Sequence, residues 1–278
     1  MKARFSLCLL ALLAAACSRT TPVAAAPNVS TGGRQAPAIN LTAAAKEKIG
    51  RKIWQNESAG KVSGLTAWNK GEGFPSLGIG HFIWYPAGKD GPFTESWPQF
   101  VQFARQRGAN PPAVALQRDC PWPNRSAFQG DFNGPRLSGL RQWLSRTVAL
   151  QTDFIAQKSL AALPKITAGT SAAEAARIRT NYRNVATSPQ GVYALIDYVN
   201  FKGEGTNPKE RYRNQGWGLK QVLQEMQPTA AGPAAAREFA AAADRTLTRR
   251  VRNSPPKRGE KRWLAGWKNR AASYGRPL

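Results

Sequence analysis

The chain of 278 residues is long enough for one sizeable core and requires no second domain. Its 40 Lys and Arg against 16 Asp and Glu give a formal net charge of +24, which favours an anionic partner: nucleic acid, lipid headgroups or an acidic cell-wall polymer. With His81 as the single histidine, no Cys/His zinc pattern exists and any histidine-dependent hydrolase has one imidazole to use, so hydrolytic chemistry narrows to carboxylates.

In chain order, residues 1–16 read as a secretory signal. Lys2 and Arg4 form its positive start and Phe5 to Ala16 its apolar run. That run is about half the length that spans a bilayer, so it is not read as a transmembrane helix. Leu13-Ala-Ala-Ala-Cys17 resembles a bacterial lipobox, in which the cysteine is lipidated and becomes the mature N-terminus, with Ala14 where Leu is preferred. Ordinary cleavage near Ala26 is the alternative, and Pro27 suits such a site poorly. Cys8 and Cys17 fall in this targeting segment, which leaves Cys120 without a partner for an internal disulfide. Either route predicts an exported protein, periplasmic or anchored through Cys17 in a bacterial cell envelope.

Residues 17–40, rich in Ala, Pro, Thr, Ser and Gly, predict a flexible tether, and 41–278 the folded domain. Thr42 predicts an N-cap, Ile49 and Ile53 a buried stripe, Glu57 a position one further turn along that face, and Gly60 a stop. From 61 to 91, Gly and aromatic residues without helical period predict short strands, for example around Ser76 to Trp84. Ser96-Trp-Pro-Gln99 predicts a capping box opening a helix with Trp97, Phe100, Val101 and Ala104 on one face, closed by Gly108. Residues 109–134, with prolines and Cys120, predict a loop. One long helical stretch then runs to about Ala162, with Leu137, Leu140, Leu144, Val148, Phe154 and Ile155 inward.

Ser188-Pro189 opens a core helix with Val192, Leu195, Ile196 and Val199 at helical spacing and Gly203 at its end. Leu219, Val222, Leu223 and Met226 repeat that spacing. The tail after Pro233 is again helical, with Phe239, Leu247 and Val251, then Trp263 and Trp267. The fold class expected is α+β, mainly α, with a small β element after the first helix of the domain.

Within residues 57–86, Glu72-Gly-Phe-Pro-Ser-Leu-Gly-Ile-Gly-His81 resembles the signature that follows the catalytic glutamate of phage-type lysozymes, with Ser76 where Thr is usual. Glu57-Ser-Ala-Gly60 is similar to the start of goose-type lysozymes and lytic transglycosylases, and Ala194-Leu-Ile-Asp-Tyr-Val-Asn-Phe-Lys-Gly-Glu-Gly205 to the phage-type central helix. The resemblance spans 42 to about 226 and leaves the Arg- and Trp-rich C-terminus unexplained. It implies a lysozyme-like fold, a peptidoglycan glycan strand as substrate, no cofactor, and Glu57 as acid/base at the end of the first helix. The family's second acid falls where this chain has Lys70. Hydrolysis that activates water with that acid therefore lacks its residue, whereas a lytic transglycosylase works with one Glu.

From the residues themselves, a Glu at a helix C-terminus beside Ile53, Trp54 and Trp68 predicts a carboxyl that holds its proton near neutrality, as a glycosidic proton donor must. Set against this, a Glu at a helix end is usually solvated. The resemblance implies a second candidate, Ser76, at the place of the family threonine that lines the site, where it could hold a water if the reaction is hydrolysis. Glu72 is a third, with support of the β turns as its alternative. Trp68, Trp84 and Tyr85 are candidates for stacking on sugar faces, Trp84 and Tyr85 the more exposed because Pro86 follows them; core packing is the alternative. Phe74 and Phe82 read more as core. Glu204, between two glycines, is a candidate cleft residue, and His81 reads as a structural hydrogen-bond donor.

Two functions follow. One is an exported peptidoglycan-cleaving glycosidase or lytic transglycosylase, its charge drawing it to the anionic cell-envelope surface. The other is an inactive lysozyme-fold protein that binds glycan or acts as an envelope scaffold. A nucleic-acid partner rests on charge alone and is not expected.

Overall fold

The structure, a computed structural model, describes Ile39, residues 41–91 and residues 93–278. The expected export segment, Cys17, the alternative cleavage site expected near Ala26 and nearly all of the expected tether lie outside the described residues. Among those described, eleven α-helices and a three-stranded sheet make a mainly helical protein with one small β element, as expected. No helix there is long and apolar enough to cross a membrane.

Helix α1 (Ala43–Ser58) starts as its sequence predicts, with Thr42 Oγ1 accepting the Ala45 N–H at 3.2 Å. Ile49 and Ile53 are fully buried. Ala59, left-handed at φ 54°, ends the helix one residue before the expected glycine, and Gly60 donates to Trp54 O. Glu57 therefore lies in the last turn. Gly50 faces helix α5 (Val148–Ala161), where an added Cβ would lie 2.4 Å from Thr152 Oγ1 and 2.5 Å from a Val148 methyl. Gly50→Ala is accordingly expected to cost about 1–3 kcal/mol by overpacking. The better helix propensity of Ala, about 1 kcal/mol, offsets part of that. A fall in the urea midpoint reads the net loss, and an unchanged or higher midpoint would show that the two helices yield freely.

After α1 come strands β1 (Thr66–Ala67), β2 (Ser76–Leu77) and β3 (Phe82–Ile83), antiparallel in the order β1-β2-β3. Ser76 pairs with Ala67 on one side and Ile83 on the other. Gly78 turns the chain at φ +69°, and a Cβ there would meet Gln151 Oε1 at 2.3 Å. That close approach has a purpose: the buried Gln151 accepts the Ile79 N–H at 2.9 Å and donates to Leu144 O at 2.7 Å, tying the sheet to the helices behind it.

Three local expectations fail. Ser96 does not cap helix α2 (Trp97–Gln106): its Oγ accepts the Ile83 N–H of β3 at 3.0 Å, while Gln99 donates to Glu95 O. The edge of the sheet has claimed the cap. Residues 109–134 are not all loop, because Asn124 accepts the Ala127 N–H and starts helix α3 (Arg125–Gly130). The long stretch to Ala162 is two helices, α4 (Pro135–Arg146) and α5. They break at Thr147, whose hydroxyl donates to Trp143 O at 2.9 Å.

No element was expected between 163 and 187, where α6 (Leu163–Thr167) and α7 (Ala172–Ala186) form, the second capped by Ser171. Helix α8 (Pro189–Lys202) is the expected core helix, capped by Ser188 and ended by Gly203 at φ +79°. It is buried from Gly191 through Tyr198 and packs against α1, α5, α7, α9 (Leu219–Glu225) and α10 (Pro233–Asn253). Helix α11 (Leu264–Ser273) packs on α10 and brings the chain's end back to α8.

Candidate active site

Three helices meet at the C-terminal end of α1. Arg270 of α11 donates from Nη2 to Glu57 Oε1 at 2.8 Å, and from Nε and Nη2 to the two oxygens of Asp197 in α8, each at 2.8 Å. Asp197 is wholly buried, whereas the Arg270 and Glu57 side chains keep 24% and 20% exposure. Tyr274 adds a hydrogen bond to Asp197 Oδ2 at 2.7 Å, and Asn56 one to Oδ1 at 3.0 Å while donating to Tyr193 OH at 2.8 Å. The guanidinium lies 4.5 Å over the Phe201 ring.

The energetics of this cluster are set by burial. A charge with no water around it must have several partners, and Asp197 has four donated hydrogen bonds. Burial alone would lower the Arg270 pKa, but the hydrogen bonds and charge of Asp197, with Glu57 behind them, carry it above the ordinary arginine range. Burial, and then Asp197, push the Tyr274 and Tyr193 phenols up, so both remain neutral at working pH. The pair thus anchors Arg270, and Arg270 aims Glu57. Glu57 Oε2 has no hydrogen-bond partner among the described residues.

The expected surroundings of Glu57 did not include its guanidinium partner. Trp54 Nε1 donates to Lys61 O and Trp68 Nε1 to Glu72 O, so both indoles fasten turns. Trp68 is 3% exposed and packs edge-on against Phe128. A guanidinium is the side-chain hydrogen-bond partner of the carboxylate.

The other expected residues are dispersed. Glu72 accepts from Asn69 Nδ2 at 3.2 Å through Oε2 and from Trp68 through its carbonyl, which is the turn-supporting role. Ser76 is 8% exposed within β2. The exposure expected of Trp84 and Tyr85 is contradicted. Trp84 is fully buried, stacked 5.3 Å from Trp97, and Tyr85 is 7% exposed with its hydroxyl on Phe93 O. The Pro86–Cys120 bridge lays the 118–122 segment alongside them. Neither ring offers a face to a sugar. Phe74 and Phe82 are buried as expected, Lys70 is exposed, and His81 is exposed at φ 47°.

Glu204 pairs with Lys165 at 2.5 Å and borders a cavity of about 240 Å³. Gly80 and Phe82 form one wall, Lys158 and Ser159 of α5 another, and Ile196 and Asn200 of α8 a third. Glu57 does not line it. Helix α8 separates the two features, with Asp197 turned to Arg270 and its neighbours Ile196 and Asn200 turned to the cavity.

At the end of α8, Lys202 Nζ lies 3.4 Å over the Trp267 ring and 4.0 Å over Phe201. Burial above all, with Arg250 and Arg270 adding to it and Glu260 opposing, brings its pKa from the ordinary 10.5 down to about 7. Between about pH 7 and 10.5 the unfolded chain then binds more protons than the folded one, so stability from this group rises with pH across that window. Below pH 7 the ammonium is charged in both states and the full burial penalty applies. A Lys202→Met variant should therefore gain in melting temperature relative to the wild type at pH 6, with the gap closing towards pH 10. A gap independent of pH would contradict the burial of this amine.

Asp197 and Arg270 were not expected in the site. Asp197 carried a signal, as the one acidic residue in the apolar run of α8. Arg270, 213 residues from Glu57, carried none. Compared with known proteins, the chain matches no family's sequence profile, no curated protein and no solved structure.

Proposed function

We propose that the protein is an exported enzyme that cleaves the glycan strand of peptidoglycan, with Glu57 as the general acid/base. The observation that carries this reading is the held carboxylate: Glu57 is partly exposed at a helix end, fixed through Oε1 by Arg270, with Oε2 unengaged among the described residues. The mainly helical architecture with a small sheet directly after α1 suits the same reading, as does the motif at residues 72–81.

In this mechanism protonated Oε2 donates to the glycosidic oxygen as the bond to the anomeric carbon breaks. The resulting carboxylate then takes the proton of the sugar's own 6-hydroxyl, whose oxygen closes on that carbon to form an anhydro ring. One carboxylate serves both steps, which suits a chain with Lys70 exposed where a second acid would stand. Arg270, held by Asp197, keeps the group in place as its charge changes. Transglycosylation is therefore favoured over hydrolysis.

The Glu57–Arg270 pair also suits a second reading, a catalytically inactive glycan-binding or envelope scaffold protein that keeps Glu57 as a structural anion. Incubating the protein with purified peptidoglycan and analysing the soluble products by mass spectrometry separates the two. Anhydro-ended muropeptides support the enzyme, reducing ends would replace transglycosylation with hydrolysis, and binding without release would leave the scaffold.

A further inference from the structure

The C-terminal part of the chain forms a basic face that the site does not use. Lys257, Arg258, Lys261 and Arg262 are exposed and make no ion pair among the described residues. Arg252 at the end of α10 and Arg211 and Arg213 of a neighbouring turn are exposed as well. Tyr212 and Gln215 close that turn, with Arg213 and Asn214 at φ 49° and 61°, and Asn253 ties it to α10 through Gln215 at 2.9 Å. The acid within this stretch, Glu260, is 8% exposed and already committed. It accepts two hydrogen bonds from Arg250, at 2.8 and 2.9 Å, and one from Tyr212 at 2.9 Å. Nothing in the 252–263 segment neutralises its surface.

Trp263 follows these cations in the chain at 52% exposure, with Arg262 5.1 Å from its ring. The neighbouring indoles are occupied: Arg250 stacks at 4.0 Å on Trp217, and Lys202 covers Trp267. A strand-like polymer is bound by a groove with successive free rings. Here one ring is exposed, and neither the cavity that Glu204 borders nor the one near Thr42 and Leu278 includes a residue of the face. An exposed indole directly after a run of exposed cations instead matches a lipid headgroup layer, where the amphipathic ring sits at the interface and the cations meet phosphate.

We infer that this face docks the protein on an anionic phospholipid bilayer through Lys257, Arg258, Lys261 and Arg262, with Trp263 entering the interface. The inference does not rest on the enzymatic reading. It gives the protein a membrane contact that is independent of any acyl chain on Cys17.

The test uses the full chain carrying Cys17→Ser, so that no acyl group contributes, and cosedimentation with phosphatidylcholine vesicles with and without phosphatidylglycerol. Binding should require phosphatidylglycerol and weaken with salt. Replacing Lys257, Arg258, Lys261 and Arg262 by Gln should reduce affinity by several hundred-fold at low salt, at roughly fivefold per surface cation. Trp263→Ala should reduce it about tenfold. A control with Lys48, Lys52, Arg105 and Arg146 changed to Gln carries the same net charge and should lose less than about tenfold. Unchanged melting temperatures would show that all variants fold. Equal losses from the two quadruple variants would overturn the inference, as would equal binding to neutral vesicles. Retention on peptidoglycan or DNA without retention on vesicles would overturn it too. Glu57→Gln should bind vesicles as the wild type does, so a failure of the enzymatic reading is distinguishable.

Discussion

Asp197→Ala is expected to destabilise the protein by about 3–5 kcal/mol, the range for breaking a buried ion pair from one side. The substitution leaves the buried phenol of Tyr274 and the Nε of Arg270 without their acceptor, and removes one of the two partners of Arg270 Nη2 and of Asn56. It also frees Arg270 to turn wholly to Glu57, so the carboxylate loses its fixed direction as the fold loosens. Asp197→Asn keeps the shape and one acceptor oxygen and should cost less. Urea denaturation of both variants measures the difference. A loss below about 1 kcal/mol for Asp197→Ala would mean that the cluster does not hold α8, α11 and α1 together as described.

Glu57→Gln is expected to lower peptidoglycan cleavage on the order of 10²–10⁴-fold, the contribution of a general acid/base. Gln keeps the oxygen that accepts from Arg270 but cannot donate and retake a proton as the acid does. The Glu57 side chain is 20% exposed, so the change in stability should stay within about 1 kcal/mol. Activity should therefore collapse while the urea midpoint and the binding of peptidoglycan persist. A variant retaining more than about a tenth of the wild-type rate would end the case for Glu57 as the acid/base.

Local patterns were legible where a residue's role is decided by its near neighbours. Thr42 with Ile49 and Ile53 marked α1, and Ser188 with Val192, Leu195, Ile196 and Gly203 marked α8. The same logic misled where a distant group competes. Ser96 had the spacing of a cap, but the unpaired Ile83 N–H of the sheet edge took its hydroxyl. Trp84 and Tyr85 looked exposed beside Pro86 because the segment that covers them arrives from Cys120.

The candidate site divides in the same way. Glu57 could be found from its place at the end of a helix and the motif after it. Its electrical surroundings could not, because the partner that defines them comes from the last helix. That partner is oriented in turn by a buried aspartate 73 residues before it. The two indoles near Glu57 in sequence, Trp54 and Trp68, spend their N–H groups on the Lys61 and Glu72 carbonyls, a use their positions did not announce.

The most direct measurement is a paired digest of purified peptidoglycan by the wild type and Glu57→Gln, with released sugars identified by mass spectrometry. The account predicts anhydro-ended muropeptides from the wild type and none above background from the variant, both proteins sedimenting equally with the polymer. Equal release by the two would contradict it, and so would no release by either.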